Sequence, residues 1–388
     1  MLAAGPDARI VEGEVVASAS SWTPGGSIVT ESTIRTADGT DVLVHQLGGT
    51  VDKIGMRVIH GAPPLSRGDY VAIELVEPQS ESGRRKSVRK LTTPTLRLPF
   101  VRTTNATNAA LRWAKSCAFV TYDAAGTTQV PGGDEFDVLD ASVSEWEAGA
   151  ETCSYISFRF NERREGEVGL DGVNLVKFRE DTWCRPGSGD PICHDPAAAG
   201  LTTLFFINDA ESSRNGEILD ADVELNGVTF AISVDGVTGG DAGLCLSDLA
   251  NTATHEFGHL LGLDHTCWDG LGTQPRDEQG NRVPSCFPES NLPTEIRDAT
   301  MYNFQDCDER KKQTLLQDDI DGICAAYPTA DDPSDCSEVV LDRGGCCAVS
   351  SELSPPGRRF GSLALLAGLL AAVTVVFRTR PGRRARNT

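Results

Sequence analysis

Short apolar runs alternate with turn-forming clusters along the first 78 residues. Gly- and Pro-containing stretches such as Pro24-Gly25-Gly26 and Gly48-Gly49 separate them. The runs lie at 15–17, 28–29, 42–44 and 71–76. This spacing predicts a small all-β barrel or sandwich over residues 1–78. The polar and basic stretch 79–100 follows, which we interpret as a linker or mobile loop, with a processing site as the alternative.

Residues 101–328 mix helical and strand periodicities. Asp134 is a candidate cap for a helix with an apolar stripe of Phe136, Leu139, Val143 and Trp146. Further helices are predicted from Ser247 or Asp248 to Leu261 and over 315–327. Strands are predicted at 118–122, 156–160, 173–178, 204–207 and 218–225. Strands interspersed with helices predict an α/β or α+β sheet domain.

Apolar and acidic residues alternate strictly along the strand predicted at 218–225. Leu219, Ala221, Val223 and Leu225 fall on one face, and Asp220, Asp222 and Glu224 fall on the other. Such alternation is typical of a strand with one buried and one solvated face.

The amino-acid composition of the C-terminal region changes twice. Residues 329–357 are polar and predict a stalk, and residues 358–388 form a tail around an 18-residue run without charge at 360–377. Arginines flank that run, which favours a short membrane-spanning helix over a buried core helix. The larger arginine cluster, which follows the run, should stay cytoplasmic, which would place the body of the protein outside the cytosol.

Charge and length narrow the class of protein. The 388 residues suggest two or three domains, and the formal net charge is −21. Seven arginines and no acidic residue lie in 358–388, so the preceding residues carry −28. An acidic body argues against nucleic acid as a partner and fits an exported protein.

Twelve cysteines occur, all from Cys117 onward and without the paired spacing of a structural zinc site. Scattered cysteines in such a chain point to disulfides and an oxidising compartment, with buried free thiols as the alternative. The suggested pairs are Cys117 with Cys153, Cys184 with Cys193, Cys245 with Cys324, and Cys267 with Cys286, although connectivity does not follow from sequence. No signal peptide is visible at the start, so we expect the true start to lie upstream.

The segment HEFGHLLGLDH at 255–265 has the residue types and spacing of a catalytic zinc site. His255 and His259 are four residues apart, so on a helix both can reach one ion at about 2.0–2.1 Å. Gly262 tolerates positive φ and lets the chain turn, which brings His265 back as the third ligand. Three neutral imidazoles leave a fourth position open for water, which is typical of catalytic zinc.

Glu256 lies beside the two helical histidines rather than in line with them. Its carboxylate would therefore reach a zinc-bound water as general base and later protonate the leaving amine. The alternatives are a helix that holds three histidines by chance and a protein that binds zinc without cleaving.

The full pattern HExxHxxGxxH resembles the metzincin zinc proteases. The run HEFGHLLGLDH is similar to the matrixin branch, the bacterial relatives of matrix metalloproteases. Two further pieces match this branch: Ala299-Thr300-Met301-Tyr302 resembles its Met-turn, and 315–323 resembles the start of its last helix. The resemblance covers about 101–328 and implies an α+β catalytic domain with a twisted, mostly parallel five-stranded sheet.

The resemblance also implies site roles. Met301 would form an apolar floor beneath the zinc, and the strand 218–225 would be the sheet edge on which a peptide substrate adds. An ordinary core strand with a wet face is equally compatible with its alternation. Candidate substrate contacts are Leu219, Asp220, Ala221, Asp222, Tyr302 and Asn303.

Several features depart from the matrixin pattern. Asn303 replaces the usual Pro after the Met-turn, and the stretch between His265 and Met301 is long, so we expect an insertion there. No cysteine-switch sequence precedes the domain. A structural Ca²⁺ stays open as a second metal, although the family's calcium loops are not recognisable. His45, His60 and His194 occur singly, and we interpret them as surface, core or loop residues rather than ligands.

The tail is similar to myxobacterial C-terminal sorting tails, because adjacent Cys346 and Cys347 precede the apolar run and the arginine cluster. The resemblance implies processing near these cysteines by a sorting protease, with a permanent membrane anchor as the alternative.

Three hypotheses follow. The first is a secreted or cell-surface zinc endopeptidase, expected to be monomeric, that acts on proteins or peptides. The second is a non-enzymatic surface adhesion protein with a structural or vestigial zinc site. The third is a zinc hydrolase of non-protein substrates.

Overall fold

The N-terminal residues form two groups of β-strands. The computed structural model describes residues 9–61, 64–75, 99–186, 191–241, 243–339 and 341. The first six strands are β1 (Arg9–Trp22), β2 (Ile28–Thr36), β3 (Asp41–Leu47), β4 (Gly49–Val51), β5 (Ile54–Val58) and β6 (Tyr70–Leu75). Four of them make an antiparallel sheet in the order β3-β2-β1-β6. The β-rich prediction is thus confirmed for the described residues, but β4 and β5 leave this sheet for another.

A seven-stranded mixed sheet organises the rest of the described chain. Its order is β4-β5-β12-β13-β9-β7-β8. The strands from this region are β7 (Cys117–Tyr122), β8 (Ser157–Phe160), β9 (Leu175–Arg179), β10 (Cys184–Arg185), β11 (Ile192–Cys193), β12 (Gly200–Ile207), β13 (Ile218–Asn226), β14 (Phe230–Ser233) and β15 (Cys245–Asp248). Five of them join the large sheet, and three of their four mutual pairings are parallel. The general α+β prediction is confirmed.

Four α-helices and three short 3-10 helices accompany the sheet in the described residues. They are α1 (Glu135–Ala150), α2 (Leu249–Leu260), α3 (Thr294–Asp298) and α4 (Gln317–Ala326), with 3-10 turns at Glu289–Asn291, Lys311–Gln313 and Thr329–Asp331. The predicted apolar stripe of α1 is buried. Asp134 precedes α1 but makes no side-chain capping bond, so that part of the prediction was wrong.

Helix α2 is fixed from several sides. Asp248 caps it by accepting a hydrogen bond from the Asn251 N–H. Trp146 of α1 donates its indole N–H to the Thr254 carbonyl at 2.9 Å, and Trp113 donates to the Leu260 carbonyl at 2.9 Å. Both indoles are almost fully buried. Since buried indoles need a hydrogen-bond acceptor, these bonds tie the helix to a defined position in the core.

The resemblance implied that strand β13 is a sheet edge, and this expectation is wrong. The strand lies between β12 and β9, and all nine of its residues are buried, including Leu219 and Ala221. Asp220 accepts backbone N–H bonds from Asp171 and Gly172. Asp222 accepts such bonds from Gly169 and Leu175, and Glu224 pairs with Arg179 and Arg185. The predicted wet face is therefore a buried polar face, in which each acidic side chain accepts hydrogen bonds from backbone donors or arginines. Oδ1 of Asp220 has no hydrogen-bond partner among the described residues.

Five disulfides join the described cysteines. They are Cys117–Cys336, Cys153–Cys324, Cys184–Cys193, Cys245–Cys307 and Cys267–Cys286. Two suggested pairs are confirmed, whereas Cys117 with Cys153 and Cys245 with Cys324 are wrong. The chain after α4 returns to β7 and brings Cys336 to Cys117, a long-range approach with no local signature in the sequence. Several disulfides suggest an extracellular or otherwise oxidising environment.

All described residues belong to one compact unit, Met1–Arg343, so the predicted strands of 1–78 and the mixed region 101–328 pack together. Among these residues no helix is long and apolar enough to span a membrane. The predicted anchor at 360–377, Cys346 and Cys347 lie outside the described residues, as do most of 79–100.

Peptide mapping of the unreduced protein tests the disulfide pattern. We expect a peptide pair joining Cys117 to Cys336 and another joining Cys245 to Cys307, because their α-carbons lie 4.9 and 5.1 Å apart, within the normal bridging range. The reduced digest is the control. A peptide joining Cys117 to Cys153 would contradict the observed packing of the C-terminal segment on β7.

Candidate metal centre

Helix α2 presents two histidines toward one point, as the spacing predicted. His255 and His259 are buried, and their Nε2 atoms lie 3.1 Å apart. After the helix, Gly262 adopts a φ of +87°, and a β-carbon there would lie 2.5 Å from the Leu111 carbonyl oxygen. Only glycine fits this turn without strain. The turn returns His265 to the pair, with its Nε2 3.1 Å from that of His259.

Hydrogen bonds fix which nitrogen of each helical histidine carries the proton. Nδ1 of His255 lies 2.6 Å from the Thr300 carbonyl oxygen, and Nδ1 of His259 lies 2.9 Å from the Leu263 carbonyl oxygen. A carbonyl oxygen only accepts, so each Nδ1 must donate. Each Nε2 is then an unprotonated lone pair. The lone pairs converge, an arrangement that a bound cation would stabilise.

The pKa values of the three histidines favour the neutral ligand form. Burial lowers the pKa of His259 to about 4 and holds the pKa values of His255 and His265 well below the ordinary 6.5. Neutral imidazoles near pH 7 can bind a metal without first losing a proton.

A fourth histidine completes the group, contrary to the sequence-based interpretation. His60 follows strand β5, and its Nε2 lies 3.2 Å from Nε2 of His255 and 3.3 Å from Nε2 of His265. The four residues could hold one metal ion. His60 was interpreted as a surface or core residue because it occurs singly. Its partner His255 lies 195 residues away, and strand pairing brings them together.

The four nitrogens lie close enough together to share one ion. Four of the six separations between their Nε2 atoms are 3.1, 3.1, 3.2 and 3.3 Å. All the possible ligand atoms lie within 4.8 Å of one another. An all-imidazole donor set suits zinc and several other transition metals, so the donors indicate a transition metal without specifying which one.

Glu256 is buried beside the group. Its Oε2 accepts a hydrogen bond of 2.7 Å from the Thr202 hydroxyl, and its Oε1 lies 3.6 Å from Nε2 of His60. Burial raises the pKa of Glu256, but the neighbouring His60 and the Thr202 hydrogen bond outweigh it, so the pKa lies below its ordinary value. The carboxylate is therefore ionised near neutral pH. Thr202, on β12, was not singled out from the sequence because a lone threonine in a strand carries no signal.

The segment around Met301 packs directly against the histidine helix. Met301 is buried, and a β-carbon on Gly258 would lie 2.4 Å from its sulfur. The neighbouring Thr300 carbonyl orients His255, and the Met301 carbonyl accepts the N–H of Thr266. Met301 thus packs against helix α2 at Gly258, and its role as an apolar floor beneath zinc stays a prediction.

The remaining candidate residues divide into two groups. Tyr302 is buried with the disulfide Cys267–Cys286 in the inserted segment, and Asn303 Oδ1 lies 3.1 Å from the Cys267 sulfur. The other four, Leu219, Asp220, Ala221 and Asp222, are buried on β13, whose pairing with β12 covers Asp220 to Asp222 and whose pairing with β9 begins only at Val223.

Three other basic residues lie outside the four-histidine group. His45 is exposed on β3, as expected for an isolated histidine. His194 is buried against Trp183, and burial lowers its pKa to about 4. Lys312, which the sequence did not indicate, donates to the Tyr302 carbonyl, and burial lowers its pKa to about 7.

Comparison with models of known protein families found no match. Comparison with curated proteins found none either.

Metal retention should separate a ligand from a packing residue. His265→Ala removes a nitrogen donor and should weaken zinc retention, by analogy with outer-shell changes that already cost about 10–100-fold. Met301→Leu changes packing alone and should retain the metal. Metal content after dialysis against a weak chelator is the measurement. Equal retention in His265→Ala and the parent protein would remove His265 from the site.

Proposed function

We propose that this protein is a zinc-dependent endopeptidase with Glu256 as general base. The observation that supports the proposal best is the buried Glu256 carboxylate beside three oriented histidines, His255, His259 and His265. The resemblance of 255–265 and 299–302 to the matrixin pattern points to the same chemistry.

The metal would be held by these three histidines, with His60 as a fourth donor in the observed conformation. When bound, zinc supplies a Lewis acid that polarises a carbonyl group and lowers the pKa of water. A structural Ca²⁺ site remains only an expectation from the resemblance.

Glu256 performs the proton transfers. Because its carboxylate is ionised, it can accept a proton from the water that attacks a peptide carbonyl and then donate it to the leaving amine. The Thr202 hydroxyl binds Oε2 and leaves Oε1 directed toward the His60 side of the group. Thr202 thus orients the base, and its position on β12 links the base to the strand nearest the site.

A non-enzymatic protein with a structural zinc site is the second candidate, because four histidine donors resemble a closed site. The surroundings of Glu256 weigh against it. A structural site does not need a buried carboxylate beside its ligands, and burying one costs free energy that the hydrogen bond from Thr202 offsets only in part. A hydrolase of non-protein substrates is less favoured, since the strand beside the site is already paired with an extended peptide segment.

We place the activity outside the cytosol, at the cell surface or in the secreted fraction. The five disulfides support this location. Processing or retention of the C-terminal tail stays a prediction. Proteins or peptides are the proposed substrates, and neither nucleic acid nor a partner chain is needed.

Glu256→Gln tests the proposal because it keeps the size of the side chain and removes the base. Casein cleavage should fall by about 10²–10⁴-fold while zinc content stays unchanged. The comparison is made in the parent and in a His60→Gly background, since a fourth donor would restrict access to the metal. The exposed Glu289→Gln is the matched control. Cleavage by Glu256→Gln at its parent's rate would refute the proposed mechanism.

A further inference from the structure

We propose that the edge of β12 is the binding site for an extended peptide, and that segment 54–60 of the same chain occupies this site with His60 as a displaceable metal ligand. This inference rests on the proposed peptidase function and adds to it the location of the substrate and the state of the enzyme. In the observed conformation the protein would inhibit itself.

Strand pairing supports the first part. Among the sheet strands from the region 101–328, β12 lies at one end and β8 at the other, and β5 pairs with β12 antiparallel from Thr203↔Val58 to Ile207↔Ile54. The N–H of Ile59 then donates to the Thr202 carbonyl at 2.8 Å. A free strand edge offers this ladder of hydrogen bonds to any extended peptide, so β5 occupies the position of an added strand.

The register of the β5–β12 pairing places the edge of β12 next to Glu256 and the four histidines. Thr202 accepts the bond from Ile59 with its carbonyl and binds Glu256 with its hydroxyl. The next residue of the segment, His60, reaches the metal-binding group. A peptide bound in the same register would therefore run past the general base and the metal.

The backbone of His60 indicates that the ligand position is imposed on it. Its φ is +70°, in the left-handed region that non-glycine residues rarely adopt. Such conformations persist where surrounding contacts enforce them, and they cluster at functional sites. Here the β5–β12 pairing on one side and the histidine group on the other hold the residue.

His60 is also the most accessible of the four histidines. Its side chain is 16% exposed and borders a cavity of about 240 Å³ that none of the other three lines. His45 of β3 and His194 line the same cavity. The imidazole of His60 thus has space into which it can rotate, whereas the other three histidines are enclosed.

Apolar packing holds the segment in place more than charge does. Met56 and Val58 of β5 are buried with Ile28 and Leu47 of the N-terminal sheet and with Phe205 of β12. The ion pair from Arg57 to Asp264, at 3.0 Å, is partly exposed and contributes little. The N-terminal sheet therefore packs against β5 and helps to hold it on β12. This packing gives the N-terminal sheet a role in keeping the site occupied.

Four histidine donors would leave no free position on a four-coordinate ion, so water and a substrate carbonyl would compete with His60 for it. The test is carried out on the full chain loaded with Co²⁺, whose visible absorption reports its ligands. Acetohydroxamate, a small chelating ligand, is the probe for an open coordination position. His60→Gly removes the donor and suits the positive φ, and His45→Ala is the matched control in the same cavity.

The expected result is that acetohydroxamate leaves the parent and His45→Ala spectra unchanged and alters the spectrum of His60→Gly. His60→Gly should also cleave casein at least about tenfold faster than the parent, since a tethered ligand competes at an effective concentration of about millimolar. If His60→Gly does not fold, His60→Asn replaces it, because asparagine tolerates positive φ.

Failure of this inference is distinguishable from failure of the proposed function. A parent spectrum that responds to acetohydroxamate like the variant, or parent cleavage as fast as the variant's, overturns self-inhibition and leaves the peptidase proposal standing. If His60→Gly binds acetohydroxamate but shows no Glu256-dependent cleavage, the role of His60 as a ligand stands and the peptidase proposal fails.

Discussion

The convergence of imidazole lone pairs on one point constrains much of this structure. His255 and His259 can direct Nε2 inward only because backbone carbonyls of Thr300 and Leu263 bind their Nδ1 protons. Those carbonyls are placed by the Met301 segment and by the turn at Gly262. Helix α2 must in turn stay fixed in the core, which explains why buried tryptophans donate to its carbonyls.

The local part of this arrangement was predictable from the sequence, because helical periodicity and glycine stereochemistry act over a few residues. The spacing of 255–265 predicted the convergence of two helical histidines, the turn and the return of the third histidine, and α2 ends within one residue of the prediction. His60 was not predictable in this way. Its approach depends on the pairing of β5 with β12, and no spacing rule relates residues that are 195 positions apart.

Strand β13 shows a second limit of sequence patterns. Alternating apolar and acidic residues indicate two different faces, but the alternation does not reveal whether the acidic face meets water or buried donors. Here N–H groups of 169–175 bind Asp220 and Asp222, and Arg179 and Arg185 bind Glu224. Buried acidic side chains of this kind are tolerated when each has its own partner. These partners lie 39 to 53 residues away in sequence. The disulfide partners of Cys117 and Cys245 are likewise distant, at 219 and 62 residues.

The position of Glu256 bears on why four histidines and a carboxylate occur together. If the site served only to hold a metal, four imidazoles would suffice, and an almost fully buried carboxylate would add a desolvation cost of several kcal/mol. The hydrogen bond from Thr202 offsets part of that cost. Once His60 moves away, Oε1 of Glu256, which lies 3.6 Å from its Nε2, would face the vacated position. In the observed conformation the Glu256 carboxylate lies beside His60, the fourth ligand, and after His60 is displaced the same carboxylate would act as the base. Inhibition and catalysis would therefore use the same residues.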